Sequence, residues 1–360
     1  MNTQARIEEA WAEGRGPSEG RAAAWNAVRC PSAGDGAAGH VESYFLKLVD
    51  PEGRRALWLK ATILVHEGGA PRVAEAWAVT FDRDGRPFAV KHTSPLDQAS
   101  FSRDGLDVRV GDLRITPGHV WGRVESAGRM VACDLRFTMG TAPLVPFPSE
   151  RMYETKLPSS KLVSPHPDST FTGSYTTSSG DEVLVRGWRG MQGHNWGARH
   201  AELYAWGHCN QWDGGEDDLV LEAVTARVRV GPVLAPPLTV VCVRHRGVRY
   251  DFNAPLELIR ARGTLVCPSE RAPSESARWS FSAKSSIATV TGEMWAEPRD
   301  FAGLGYENPD GAMTHCLNSK LARARLRLSV KGRSDVETMT RAAAFEIGTR
   351  DHGHGIAILA

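Results

Sequence analysis

Hydrophobic and polar positions alternate along most of this chain from about residue 42 onward. Turn sequences such as Asp50-Pro51-Glu52-Gly53 separate the alternating runs, which is typical of antiparallel strands joined by tight turns. In the first half, the runs that we predict as strands are 42–49, 56–66, 72–81, 86–92, 106–116, 119–125 and 129–139. So many consecutive strands favour closure into a β-barrel, because a barrel leaves no exposed edge.

The same pattern resumes in the second half, after a stretch that is rich in proline. We predict strands at 182–189, 202–212, 219–230, 237–245, 248–252, 256–262, 278–283, 287–297, 313–330 and 338–348. Proline cannot donate to a β-ladder, so no central strand is expected between residues 143 and 169. The sequence therefore predicts a first barrel over 40–142, a linker over 143–169 and a second barrel over 170–360.

The first 39 residues differ in pattern from the rest. Residues 4–13 and 18–29 are rich in Ala and Glu and are separated by Gly14, Gly16 and Pro17, so we predict a short helical N-terminal extension over 1–39.

The segment 187–212 has the most unusual composition, with four Trp, three His and five Gly in 26 residues. Glycines around Met191 predict a tight turn. If 203–212 is a strand, one face presents large aromatic and hydrogen-bonding side chains, a composition typical of a ligand cavity. The residues of that face are Tyr204, Trp206, His208, Asn210 and Trp212.

The next strand places an acid on an apolar face. Glu222 alternates with Val220 and Val224, so its carboxyl is expected to be desolvated and its pKa raised, as in a general acid. Two alternatives remain open: Glu222 pairs with a buried arginine, or the aromatic face is plain core. In the first half, Glu75 and Trp77 repeat the arrangement, with a structural salt bridge as the favoured interpretation of Glu75.

Other potential ligands and motifs narrow the chemistry. The spacing of His194, His200 and His208 matches no short zinc motif, so no metal is expected. His315 and Asn318 either close a cavity rim or cap a turn. Nucleotide-binding glycine motifs, H-E-x-x-H and G-x-S-x-G are all absent, so no cofactor is expected.

Composition and charge exclude several classes of partner. With 41% hydrophobic residues and a net charge of +1, the chain has enough core for two domains and no general attraction to nucleic acid. We expect a cytoplasmic protein without a secretory signal or a transmembrane segment. The six cysteines form no C-x-x-C pair and are expected to be reduced and mostly buried.

Two β-rich halves, with Gly-Met-Gln-Gly-His-Asn-Trp-Gly at 190–197, resemble the tandem lipocalin-like superfamily of AttH-like proteins, carotenoid 1,2-hydratases (hydroxyneurosporene synthases) and tocopherol cyclases. The resemblance covers roughly 40–350 in organisation, and 187–212 and 305–320 in motif. It implies two lipocalin-like antiparallel β-barrels and proton-initiated additions to isoprenoid double bonds, although the superfamily also has members with no known catalysis.

The sequence thus predicts a hydrophobic, isoprenoid- or lipid-like small molecule bound in a β-barrel cavity, in the second barrel or at its contact with the first. Our leading hypothesis is an acid-initiated cyclisation, hydration or isomerisation without a redox cofactor, in which His194, His208 and Glu222 handle protons. The predicted ligand-binding residues are Gln192, Asn195, Trp196, Arg199, Tyr204, Trp206, Asn210, Trp212, Glu75 and Trp77. The alternatives are a non-catalytic lipid or pigment carrier or sensor, and a structural module with filled barrels. The oligomeric state is not predicted.

Overall fold

The structure is a computed structural model that describes residues 19–31, 38–155, 158–180, 182–227, 229–230 and 233–360. It consists almost entirely of β-strands, which form two large sheets and one short ribbon. All neighbouring strands within the two large sheets pair in antiparallel fashion, as the alternating pattern predicts.

The first sheet has 11 strands. They are β1 (Ala38–Val49), β2 (Arg55–Glu67), β3 (Arg72–Asp82), β4 (Phe88–Pro95), β5 (Ser100–Phe101), β6 (Val108–Val110), β7 (Leu113–Thr116), β8 (His119–Ser126), β9 (Arg129–Phe137), β10 (Ser160–Thr177) and β11 (Val183–Gly197). Their order in space is β4-β3-β2-β1-β11-β10-β9-β8-β7-β6-β5.

The second sheet contains most of the remaining strands, in the order β17-β16-β13-β12-β23-β22-β20-β19-β18, with β21 also pairing with β22. These strands are β12 (Leu203–Cys209), β13 (Val220–Arg227), β16 (Leu238–His245), β17 (Val248–Asp251), β18 (Arg262–Val266), β19 (Ala277–Lys284), β20 (Ala288–Ala296), β21 (Ala302–Glu307), β22 (Met313–Val330) and β23 (Val336–Thr349). The short ribbon is β14 (Arg229–Val230) with β15 (Val233–Leu234). The helices are α1 (Glu19–Asn26), α2 (Arg151–Glu154) and α3 (Pro255–Arg260), with 3₁₀ turns at Leu96–Gln98 and Pro298–Asp300.

Each large sheet curls around its own hydrophobic core. Leu46 of β1 and Leu135 of β9 belong to one cluster of buried residues, although seven strands separate them in the chain. Trp279 of β19 and Phe345 of β23 belong to the second cluster and stack with a centroid distance of 6.3 Å. The structure therefore confirms two antiparallel β units, each of which encloses its own hydrophobic core.

The two curled sheets also pack against each other. A third cluster of buried residues lies between them and draws on both, with Phe45, Trp58 and Met191 from the first sheet and Trp206 and Leu304 from the second. Phe45 meets Trp206 edge-on at 5.7 Å between ring centroids. The outward faces of β1, β2 and β12 are therefore buried as thoroughly as the inward ones.

Strands β10 and β11 lie in the first sheet, which differs from the expected linker over 143–169 and from the expected start of the second barrel at 170. The prolines of β10 are accommodated because register shifts interrupt its ladder with β11 between Val163 and Ser169. A bulge needs no ladder N–H at the extra residue, so a central strand can contain Pro165 and Pro167 after all. The chain passes to the second sheet between Gly197 and Leu203.

The glycines of 190–197 form part of strand β11, so the predicted tight turn is wrong. A Cβ at Gly190 would lie 2.1 Å from the carbonyl oxygen of Lys47, and one at Gly193 would lie 2.2 Å from the Phe45 ring. These glycines therefore permit close approach across the sheet rather than a reversal of the chain. Residues 256–262 were predicted as a strand, but helix α3 (Pro255–Arg260) occupies most of this range. The predicted helix over 4–13 lies outside the described residues.

Candidate functional site

Strand β12 has two unlike faces, and the larger one is turned toward the other sheet. Ala205 and Cys209 lie in the core of the second sheet, as their small size allows. Tyr204 and Trp206 point the opposite way and line a cavity between the two sheets. Of the two expected locations, the second barrel or its contact with the first, this cavity lies at the contact between the two sheets.

This inter-sheet cavity has a volume of about 220 Å³ and a largely apolar wall. The strand residues that line it are Val41, Phe45, Trp58, Lys60, Leu162, Asn195 and Trp196 of the first sheet, and Tyr204, Trp206, Val224, Ala226, Val240, Tyr306 and Glu346 of the second. Residues at its rim include Pro146, Phe147, Pro158, Ser160, Lys161, Arg199 and His200. An apolar chamber with a few polar groups is the usual form of a small-molecule site.

Lys60 contributes a buried cation to this wall. Its Nζ lies 3.7 Å from the centroid of the Tyr306 ring and 5.8 Å from that of Trp58, and the side chain makes no hydrogen bond to a described residue. Burial lowers the pKa of Lys60 to about 8. The aromatic rings stabilise the charge in part, because a ring face attracts a cation.

Glu346 contributes the carboxylate. Its Oε1 accepts hydrogen bonds from Lys320 Nζ at 2.6 Å and from Asn318 Nδ2 at 3.1 Å. Its Oε2 has only the Cys316 thiol nearby, with the sulfur at 3.7 Å. Oε1 therefore accepts both N–H hydrogen bonds of this carboxylate, whereas the Cys316 thiol is the donor to Oε2 among the described residues.

Further ionisable side chains lie at the cavity rim. Burial, together with the Lys60 cation, lowers the pKa of His200 to about 3, so this ring is neutral near pH 7. Lys161 directs its Nζ to the carbonyl oxygens of Thr155 and Pro158. Arg199 is half-exposed and lies 3.5 Å from Glu67. These rim groups are either neutral or already paired.

Five of the residues predicted from sequence line this cavity: Asn195, Trp196, Arg199, Tyr204 and Trp206. None of the three predicted catalytic residues is part of its wall. Each of them contacts a lining tryptophan from behind: Glu222 Oε1 accepts a hydrogen bond of 3.0 Å from the indole Nε1 of Trp206, His208 stacks on Trp206, and His194 packs against Trp196.

Glu222 and His208 face each other across β12 and β13. Ser164 donates its hydroxyl to the Glu222 carboxyl at 2.8–2.9 Å, and His208 donates Nε2 to the Pro167 carbonyl at 2.8 Å. Burial raises the pKa of Glu222 to about 7, and burial together with the Lys47 cation lowers the pKa of His208 well below its usual range. Glu222 therefore has the raised pKa expected from sequence, without the buried arginine as its hydrogen-bond partner.

His194 lies elsewhere, inside the first sheet, and is fully buried. Its Nε2 is 2.9 Å from Glu42 Oε1, and its Nδ1 is 2.6 Å from the Trp25 carbonyl. Burial would raise the pKa of Glu42, but hydrogen bonds from His194 and His40 outweigh it and lower the pKa to about 2. His194, Glu42 and His40 therefore form one hydrogen-bonded cluster inside the first sheet.

Three predicted ligand-binding residues lie away from the cavity wall. Gln192 exchanges two hydrogen bonds with Asn26 of α1. Asn210 accepts from Lys47 at 3.0 Å and donates to Gly190 O at 2.8 Å, which joins the two sheets. Trp212 lies in the core of the second sheet and donates Nε1 to the Leu219 carbonyl.

Glu75 and Trp77 form a local pair on the first sheet. The Trp77 indole donates to Glu75 at 3.2 Å, and Lys91 lies 3.6 Å from the same carboxylate. The ion pair with Lys91 agrees with the structural salt bridge that the sequence favours for Glu75. Trp77 nevertheless packs edge-on against Tyr306, at 5.5 Å between centroids, and so supports the cavity wall from behind.

The remaining sequence candidates have structural partners. Asn318 donates to Glu346, and His315 Nδ1 lies 2.8 Å from His354 Nε2. All six cysteines are free, and Cys267 is the one that is not buried. Among the described residues, one group could converge on a metal ion: Glu216, Asp218 and His245, in which His245 forms an ion pair with Glu216 at 2.9 Å.

Sequence reasoning missed most of the wall, including its aromatic and charged residues Trp58, Lys60, Tyr306 and Glu346. The signal for Lys60 was present, because it is the one charged residue within the apolar run of 56–64. Glu346 follows four apolar residues in the same way. A lone charge in a strand buried on both faces indicates a polar site as surely as a cluster of aromatic residues does.

The chain was compared with known proteins, and no family model matches it. An uncharacterized protein of Mycobacterium tuberculosis, Rv0493c, is 28% identical over 315 residues, which is 86% of this chain and 89% of that one.

Three solved structures share the fold at low sequence identity. The structure of CghA with Sch210972 has a TM-score of 0.57 and 12% identity, over 91% of this chain and 95% of that chain. NE1406 of Nitrosomonas europaea, described as an AttH protein, has a TM-score of 0.54 and 13% identity, over 90% and 97%. Kievitone hydratase of Nectria haematococca has a TM-score of 0.51 and 10% identity, over 93% and 97%.

In the described part of the chain, no helix has the length and apolar character that a membrane span requires.

The structural likenesses extend over nearly the whole chain, both sheets included. The chain therefore has the lipocalin-like fold of the AttH type.

Proposed function

We propose that this protein binds an apolar small molecule in the inter-sheet cavity and catalyses a proton-transfer reaction on it: a cyclisation, a hydration or an isomerisation. The observation that supports the proposal best is an aromatic chamber that holds Lys60 and Glu346 in one wall. Kievitone hydratase, a protein of the same fold, is a hydratase by name.

Glu346 is the group best placed to move a proton. Its Oε1 is held by Lys320 and Asn318, which fixes the orientation of the carboxylate, and its Oε2 has no N–H or O–H donor among the described residues, in a side chain that lines the chamber. A carboxylate held in this way acts as a general base toward a bound molecule and returns the proton as a general acid. The rings of Trp58, Tyr204, Trp206 and Tyr306 exclude water and stabilise positive charge that develops on carbon.

Glu222 acts in this proposal as a positioning residue. Its carboxyl fixes the indole of Trp206, and Trp206 forms the wall between Glu222 and the cavity. Its raised pKa keeps it largely protonated below pH 7. A change at Glu222 is therefore expected to alter the affinity for a ligand more than the rate of proton transfer.

Binding is tested with N-phenyl-1-naphthylamine, a neutral apolar fluorophore whose emission rises in a dry pocket. We expect saturable binding to the wild type and none to Ala226→Trp, which fills the cavity from β13. No binding to the folded wild type, or equal binding to Ala226→Trp, would overturn the proposed site.

Catalysis is tested by incubating the protein in deuterium oxide with an apolar extract of its source cells. A reaction that protonates carbon from an exchangeable acid places deuterium on the product, which mass spectrometry detects. We expect one compound to gain deuterium or to change in mass with the wild type, and not with Lys320→Met/Glu346→Gln. A compound that co-purifies in stoichiometric amount and is never altered would favour the carrier alternative.

A further inference from the structure

The cavity wall contains a buried ammonium group without an acceptor. The described part of the chain buries four lysines, and three of them donate to oxygen atoms. These pairs are Lys47 with Asn210, Lys161 with the carbonyls of Thr155 and Pro158, and Lys320 with Glu346. Lys60 is 4% exposed, and it is the one buried lysine that makes no hydrogen bond to a described residue.

Two more donors on the same wall are without nitrogen or oxygen acceptors among the described residues. The indole Nε1 of Trp58 is buried and has no hydrogen-bond partner among the described residues, and the buried hydroxyl of Tyr306 has no nitrogen or oxygen partner there, only the Cys316 thiol beside it. Both rings lie within 6 Å of Lys60 Nζ, at 3.7 Å for Tyr306 and 5.8 Å for Trp58. Three donors without a nitrogen or oxygen acceptor among the described residues therefore surround one part of the cavity.

The described residues of the cavity do not supply the missing acceptor. Glu346 is the one carboxylate in the described wall, and its Oε1 is already engaged by Lys320 and Asn318. Buried polar groups are nearly always hydrogen-bonded, and a buried charge is nearly always paired. Two buried donors without a nitrogen or oxygen acceptor, beside a buried lysine that makes no hydrogen bond to a described residue, indicate that the acceptor arrives with the ligand.

We propose that Lys60, with the Tyr306 hydroxyl and the Trp58 indole N–H, forms a subsite for an oxyanion, so that the ligand is an apolar molecule bearing a carboxylate or an enolate oxygen. This inference rests on the proposed function, because it names the ligand class of the same cavity. An ion pair formed away from water gains more than one formed in solvent, which makes the subsite selective.

The charge state of Lys60 provides a second observable. Its pKa of about 8 places its loss of charge between pH 7 and 9. The groups around it are Glu75 on β3, Cys316 and Lys320 on β22, Glu346 on β23, and His200. Cys316, with a pKa of about 12, and His200, with a pKa of about 3, keep their charge state throughout this range. Lys320 is ion-paired with Glu346.

The experiment compares two probes of one shape and different charge, decanoate and decanamide, by displacement of N-phenyl-1-naphthylamine at pH 7. We expect decanoate to bind at least ten-fold more tightly to the wild type. In Lys60→Met this preference should disappear while decanamide binds as before. Lys91→Met is the matched control, because Lys91 lies over the Trp77 ring at 4.6 Å and is not part of the cavity wall.

The outcomes separate this inference from the proposed function. If both probes bind equally to the wild type, the oxyanion subsite is refuted and the apolar site stands. If neither probe nor the fluorophore binds, the site itself is refuted. Should Lys60→Met fail to fold, the wild-type pH profile decides. A fall in decanoate affinity between pH 7 and 9, with decanamide unchanged, supports the subsite, and a flat profile refutes it.

Discussion

His208 and Glu222 lie directly opposite each other on adjacent strands of the second sheet, and each also forms a hydrogen bond to the first sheet. Ser164 binds the carboxyl of Glu222, and the Pro167 carbonyl binds the ring of His208. Both partners belong to the irregular part of β10, where the ladder is interrupted. The bulges that accommodate prolines thus also free polar groups to join the two sheets.

The first prediction concerns the pH dependence of stability. The pKa of Glu222 is about 7 in the folded protein and about 4.5 in an unfolded chain, so the folded state binds the proton more tightly. Folding stability from this group is therefore fully present below pH 4.5 and is lost as the pH rises through 7. The expected loss is about 3 kcal/mol.

Glu222→Gln removes the titrating group and keeps the shape of the side chain. In urea unfolding at pH 5 and pH 8, we expect the wild type to lose stability between the two values and Glu222→Gln to lose about 3 kcal/mol less. The same difference between the two pH values in both proteins would show that Glu222 has an ordinary pKa.

The second prediction concerns the ion pair at the cavity wall. Glu346→Gln leaves the fully buried Lys320 ammonium without its counter-ion, which is expected to cost about 3 kcal/mol of unfolding free energy. Adding Lys320→Met removes the stranded charge and should recover at least half of that loss. Chemical denaturation of the two single variants and the double variant gives the coupling energy. Additive effects of the two changes would contradict a direct buried pair.

The third prediction concerns the attachment of helix α1 to the first sheet. Asn26 and Gln192 exchange two hydrogen bonds of 2.9–3.1 Å, and both side chains are buried. Asn26→Ala leaves the Gln192 amide partly unsatisfied, at a cost of about 1–3 kcal/mol. We expect faster amide hydrogen exchange over residues 19–31. Ala24→Ser, at an exposed position of the same helix, is the control.

An exchange rate over 19–31 that is the same in Asn26→Ala and the wild type would mean that other contacts hold the helix. One such contact is the hydrogen bond between His194 and the Trp25 carbonyl, at 2.6 Å.

Alternation predicted which residues share a face, but not where the face points. Tyr204, Trp206 and His208 do share a face, as expected from a period of two. Both faces of β12 are buried, one in the core of its own sheet and one against the other sheet. A sequence pattern distinguishes apolar from polar surroundings. It cannot distinguish burial in the core of one sheet from burial at the contact between two sheets.

The glycines of β11 and the prolines of β10 show the same limit. Gly193 is needed because the Phe45 ring of the neighbouring strand occupies the space of its Cβ, and this contact joins residues 148 positions apart. Pro165 and Pro167 are tolerated because of bulges that the sequence does not reveal. Local propensity predicts a turn and a linker at these places, and tertiary packing overrides both.

The inter-sheet cavity draws its wall from strands at opposite ends of the chain, which dictates the order in which the protein is completed. During synthesis the first sheet is finished at Gly197, before Tyr204, Trp206, Tyr306 or Glu346 has been made. In that interval the second sheet is not yet there to bury Phe45, Trp58 and Trp77. Their exposed side chains form an apolar patch that favours aggregation or binding to a chaperone. Under the proposed function, the ligand site is thus the last feature that a newly made molecule completes, and ligand capture would report that assembly is complete.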